Sequence, residues 1–124
     1  TKSLNDEEEL HLVGDLENSN TYFEVIIKQT GELDKEIRLF EDESDNFVSS
    51  FILSKNRNLI IYAYTTVPTN PEDNPPIQIG EYDLLSSENT FIENTSDTEI
   101  LYSISPNSKY IAYSNNFIYI KYYP

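Results

Sequence analysis

The sequence predicts an all-β protein, and three observations carry that expectation. Ten Tyr and six Phe stand with many Ile and Thr against only three Gly, and aromatic and β-branched side chains fit a pleated, half-buried surface. Apolar runs of four to ten residues follow one another with short polar breaks between them, the spacing of a strand meander. No stretch keeps a helical period beyond one turn, and residues 84–88 are the one place where such a turn fits. At 124 residues and 38% hydrophobic content the chain has enough apolar material for one core.

The elements follow in order. Residues 1–9, TKSLNDEEE, are polar and carry four consecutive acids from Asp6 to Glu9, which reads as an acidic flexible arm. A single all-β domain over 10–124 follows, with strands expected at 10–16, 21–29, 36–41, 48–54, 58–67, 77–84, 90–93, 99–105, 109–114 and 117–123. Between the second and third of these lies TGELDK, a hairpin loop in which Gly31 supplies a positive φ. KNRN and PNSK separate later apolar runs in the same way. VPTNPEDNPP, residues 67–76, holds four of the six prolines and cannot sit inside a sheet, so it is a loop.

An internal repeat organises the second part of the chain. FILSKNRNLIIYA (51–63) aligns with YSISPNSKYIAYS (102–114) at a shift of 51 residues. Ser54 falls on Ser105, Asn56 on Asn107, Ile60 on Ile111 and Tyr62 on Tyr113. The strands that follow, IQIGEYDL and NFIYIKYY, also correspond once the proline-rich loop is taken as an insertion in the first copy. A period of this size in an all-β chain points to propeller blades, each a four-stranded antiparallel sheet. The chain then divides into a partial blade (10–41), a full blade (48–93) and a further partial blade (99–124), an incomplete propeller. A β-sandwich or barrel is the alternative.

The stretch SISPNSKYIAYSNNFIYIK, Ser103 to Lys121, resembles the repeat of WD40-like propellers of the TolB and dipeptidyl peptidase IV type. In those repeats a strand ends in S-P-D-G, turns into a strand like K-x-I-A-Y, and is followed by one like N-I-Y-V. Here Ser105 to Ser108 occupy the turn, Lys109 to Tyr113 the second strand and Asn116 to Ile120 the third. Asn107-Ser108 replaces Asp-Gly, and Asn tolerates the left-handed conformation such a turn requires. The resemblance implies a non-catalytic interaction or ligand-binding module built from propeller-like repeats. Its alternative implication is the N-terminal propeller part of a dipeptidyl peptidase IV-like serine hydrolase whose catalytic domain is absent. None of Gly14, Gly31 and Gly80 stands in the G-x-S-x-G motif of such a hydrolase. The long hairpin that would carry substrate-anchoring residues reads TNPEDNPP without arginine, so no functional residue carries over.

Charge narrows the partners. The net charge is −14 and the pI about 4.2, while nucleic-acid binding needs clustered Lys and Arg; no nucleic-acid partner is expected. No apolar run approaches the roughly 20 residues of a transmembrane helix. The chain has no Cys and no Met, even at position 1, which suits the mature part of an exported or lipid-anchored protein more than a cytoplasmic one.

Few residues carry chemistry. His11 is the sole histidine and reads as a surface or edge-strand residue, not as a catalytic base or metal ligand. EDESDN (41–46) begins like a calcium loop, but counted from Asp42 the required Gly and Glu positions hold Phe47 and Leu53. No cofactor is expected. The tyrosines from Tyr102 to Tyr123 read as sheet packing. Recognition of a protein or peptide partner falls to the proline-rich loop, with Asn70, Glu72, Asp73 and Asn74 as its polar residues. The final run FIYIKYYP is apolar on both faces with Lys121 as its one charge. As an unpaired edge it invites self-association; residues 10–16 or a second copy are expected beside it.

Overall fold

A computed structural model of the chain describes residues 1–54, 58–68, 70, 72, 75, 77–94, 101–105, 109–115 and 117–122, the side chains of 92–94, 101, 102, 111, 113–115 and 117–119 excepted. The described residues form strands and turns without a helix, and nearly all pairings are antiparallel. No path of paired strands closes on itself, so these pairings build open meanders and not a barrel. The chain forms two compact units, Thr1–Val48 and Ser49–Pro124.

The first unit contains β1 (Lys2–Ser3), β2 (Glu8–Asp15), β3 (Asn20–Ile27), β4 (Leu33–Ile37) and the first residues of β5 (Asn46–Ser54). The segment expected as an arm therefore carries β1 and the start of β2. Its reversal is chemical: Asn5 Oδ1 accepts the N–H groups of Glu7 and Glu8, both at 2.8 Å, an Asx turn that sets Lys2 opposite Leu10. β2 and β3 pair in unbroken register from Glu8 with Ile27 to Asp15 with Asn20. β2 is paired with β3 along its whole length and with β1 at its start. At the next turn Gly31 has φ +74° and donates its N–H to Ile27 O at 2.8 Å, as the sequence requires. That tight turn starts β4 at Leu33, earlier than the expected 36. Residues 38–41 lie beyond the strand, yet Leu39 is buried.

The core of this unit follows from period two. Thr21, Phe23 and Val25 are buried on β3 while Tyr22, Glu24 and Ile26 alternate with them. Leu10 lies opposite Val25 and Ile37 opposite Phe23, and all four apolar residues are buried, each contributing about 2 kcal/mol of transfer free energy. Two buried polar side chains tie the chain that enters β5. Thr21 Oγ1 accepts the Val48 N–H at 2.9 Å, and Asn20 Nδ2 donates to Glu41 O at 3.0 Å.

The second unit continues β5 and adds β6 (Leu59–Thr66), β7 (Gln78–Asp83) and β8 (Asn89–Asn94), neighbours in chain order. A separate sheet holds β9 (Leu101–Ile104), β10 (Tyr110–Asn115) and β11 (Phe117–Tyr122), with β10 in the middle. Ile60 to Tyr64 are all buried, so β6 is covered on both faces and its continuous apolar sequence is what that position requires. The β7–β8 turn is held by Asp83, whose Oδ1 accepts from Leu85 N at 2.8 Å and Ser86 N at 3.2 Å, while Ser87 adopts φ +62°. Strand order β9–β10–β11 repeats β5–β6–β7. The register repeats as well: Ile60 faces Tyr82 and Ile61 faces Glu81, as Ile111 faces Lys121 and Ala112 faces Ile120. The second sheet makes its β10–β11 reversal between Asn115 and Phe117, where the first needs the whole stretch from Tyr64 to Gln78.

Candidate functional site

The β6–β7 connection stands on a ring of aromatic and amide side chains. Tyr62 and Tyr64 lie two apart on β6, hence on one face. Their partners on β7 are Gly80 and Gln78. Gly80 is there for space: a Cβ at that position would lie under 3.0 Å from Cζ, Cε2 and the hydroxyl oxygen of Tyr62, so the bare backbone is the floor on which the ring rests. The Tyr62 ring lies 5.7 Å from that of Tyr64, and Tyr64 lies 5.6 Å from Phe91 of β8, both in tilted geometry that suits aromatic pairs. Tyr62 Oη donates to Asn89 Oδ1 and Tyr64 Oη to Gln78 Oε1.

Burial pushes the phenols of Tyr62 and Tyr64 above their ordinary range. Both remain neutral donors at physiological pH, suited to fixing amides and not to abstracting protons. The ring is open on one side: Phe91 is 56% exposed, and Val67, the first residue past β6, 48%. In the connection that follows β6, Asn70 and Glu72 are exposed, and Glu72 N–H donates to Asn70 Oδ1 at 3.1 Å. Asp73 and Asn74, grouped with them from the sequence, lie outside the described residues. Tyr62, Tyr64, Gln78, Asn89 and Phe91 were not foreseen as one group. The even spacing of 62 with 64 is visible in the sequence, but the register that brings β7 and β8 beside them is not.

The remaining polar clusters are internally paired. Asp15 closes the β2–β3 turn, accepting Asn18 Nδ2 at 3.0 Å and Asn18 N–H at 3.1 Å, and binds Arg38 Nη1 at 2.7 Å. The Asn18 amide and the Arg38 guanidinium hold its carboxyl at about 2. Arg38 also reaches Glu36 at 3.3 Å and lies 3.7 Å from the centroid of the Tyr22 ring. The Tyr22 hydroxyl donates to Glu24 at 3.0 Å, which raises its pKa. His11 is half-buried on β2 with Nε2 3.2 Å from Glu9. Residues 41–45 form a loop in which Glu43 and Asp45 take positive φ, and Asn46 begins β5. Among the described residues no group of three or more His, Asp or Glu is arranged to hold a metal ion, and no helix is long and apolar enough to cross a membrane.

No protein-family model matches the chain, and neither a curated protein nor a solved structure matches it.

Proposed function

We propose that the chain is a non-catalytic interaction or ligand-binding module built from propeller-like β repeats, and that the β6–β7 loop is its recognition element. One observation carries the reading. β5–β6–β7 and β9–β10–β11 share strand order and register, and the long connection is inserted in one of them alone. β10 and β11 pair up to Asn115 with Phe117, so strand pairing does not require the extra length. Prolines keep the insertion out of any sheet, and long loops on a rigid sheet are where binding residues concentrate. The amides and carboxylates that the loop sequence carries at Asn70, Glu72, Asp73 and Asn74, with Val67 and Phe91 exposed, fit a protein or peptide segment that offers hydrogen-bond donors or basic residues and an apolar side chain.

A photo-crosslinking residue at Asn70 or Glu72, tested in native-cell extract, is expected to give one discrete adduct that a probe at Leu16, 88% exposed, does not. Replacing residues 68–76 with a short turn should abolish that adduct while the melting transition is retained. Equal labelling from Leu16, or an adduct that survives the loop replacement, rejects the assignment.

A further inference from the structure

Asn20, the first residue of β3, is a polar side chain with 1% of its surface exposed. Its Nδ2 donates to Glu41 O at 3.0 Å, and that bond fixes which way the amide faces. Oδ1, carried on the same carbon, is buried and has no hydrogen-bond partner among the described residues. An unpaired buried acceptor is costly, and native proteins satisfy such atoms with an ordered water or an ion.

The surroundings choose between the two. The loop 41–45, EDESD, is footed on Asn20 at both ends: Glu41 O accepts the Asn20 amide, and Asn46, which begins β5, pairs with Asn20 in register. Glu43 N–H also donates to Asn18 O at 2.6 Å, so the loop is tied down beside the β2–β3 turn. Oδ1 therefore stands at the foot of a loop that carries four carboxylates, Glu41, Asp42, Glu43 and Asp45, and no basic residue. Among the described residues none of the four is in an ion pair. Arg38, the nearest cation in sequence, is engaged by Asp15 and Glu36. Beside four uncompensated carboxylates, a cation meets a bare acceptor better than a neutral water does.

We propose that Asn20 Oδ1 and the 41–45 loop bind a hard divalent cation, calcium in preference to magnesium. No three acids are gathered to hold a metal by themselves among the described residues. The amide oxygen is accordingly the buried ligand, and one or two loop carboxylates, loop carbonyls and water complete the shell. Calcium accepts roughly six to eight oxygens in irregular arrangements, whereas magnesium demands a near-octahedral set. The site needs no EF-hand spacing, which Phe47 and Leu53 exclude, because its buried ligand comes from β3. With so few charged ligands, the Kd belongs to the weak class of about 10⁻⁴–10⁻³ M.

Calcium titration of the chelator-stripped chain, followed by two-dimensional NMR at constant ionic strength, tests this. The Asn20 side-chain amide and the backbone amides of 41–45 should shift together and saturate, while magnesium at the same concentration leaves the Asn20 amide in place. The acids Asp6 to Glu9 are the control for loosely held counter-ions. Asn20→Asp keeps an acceptor, loses the donor to Glu41 O and buries a charge. It should melt below the wild type without calcium and gain more in Tm than the wild type when calcium is added. If that variant does not fold, the wild-type titration decides alone. An Asn20 amide that calcium does not move, or that magnesium moves equally, overturns the proposal and leaves Oδ1 to hydration. So do shifts at 41–45 no larger than those at 6–9, or a folded Asn20→Asp variant that calcium stabilises no more than the wild type.

Discussion

Replacing Gly80 with Ala is the sharpest test of the packing described for the second unit. On strand propensity alone the change should stabilise, by about 0.5–1 kcal/mol, because Gly inside a strand loses more chain entropy than Ala. The structure reverses the sign. The new methyl would sit under 3.0 Å from Cζ, Oη and Cε2 of Tyr62, a residue with no exposed surface. The ring must retreat by about 1 Å to restore ordinary contact, and overpacking of this kind costs about 1–3 kcal/mol. The retreat also strains the Tyr62 hydrogen bond to Asn89, worth about 1 kcal/mol net. The balance is a loss of about 2–3 kcal/mol, or a drop of roughly 10 °C in melting temperature for a chain of this size. Urea titration followed by circular dichroism measures it. In a Tyr62→Leu background, where the distal ring atoms are gone, Gly80→Ala should be neutral or mildly stabilising. A Gly80→Ala variant as stable as the wild type, or one equally costly in both backgrounds, would show that the Tyr62 ring does not rest on Gly80.

Further outcomes follow from the same geometry. Asp15 titrates at about 2 folded against 3.8 as a free carboxyl; a depressed folded pKa contributes stability above the unfolded value, so that contribution is lost as pH falls from about 4 to 2. Asp15→Asn should flatten that part of the stability–pH profile. Lys121→Met leaves the buried Glu81 carboxylate, whose Oε1 already lacks a partner, without its ion pair; the expected cost is about 1–3 kcal/mol, and Glu81→Met in the same chain should recover much of it. Thr21→Val removes the acceptor of the buried Val48 N–H and should cost about 1–3 kcal/mol, with faster amide exchange at Val48 as the local readout.

Strand positions were legible because their signals are local. Alternation in β3, the continuous apolar run of β6 and the proline-rich break at 67–76 each act within a few residues, and every run expected to be a strand coincides with one or overlaps it. The errors lie where a partner decides. The stretch 36–41 alternates like a strand, but the Gly31 turn sets the register so that 33–37 pairs with β3, and Leu39 reaches the core from outside the strand. Residues 1–9 are polar enough to stay solvated, yet Asn5 makes the turn that lays Lys2 and Ser3 on β2. In the loop, Asn70 and Glu72 stood out by composition, whereas Tyr62, Tyr64, Gln78, Asn89 and Phe91 become a group only through cross-strand pairing.

By itself the sequence determined the all-β class, the punctuation of the strands and the Gly31 turn, since each depends on side-chain chemistry and backbone freedom within one short window. The tertiary structure decided why Gly80 is glycine, that Glu81 is buried against Lys121, and that Ile120 is exposed while Ile61 is buried. These depend on which residues of distant segments are brought opposite one another. Strand register sets that, and a shift of one residue would turn every one of those side chains to the other face.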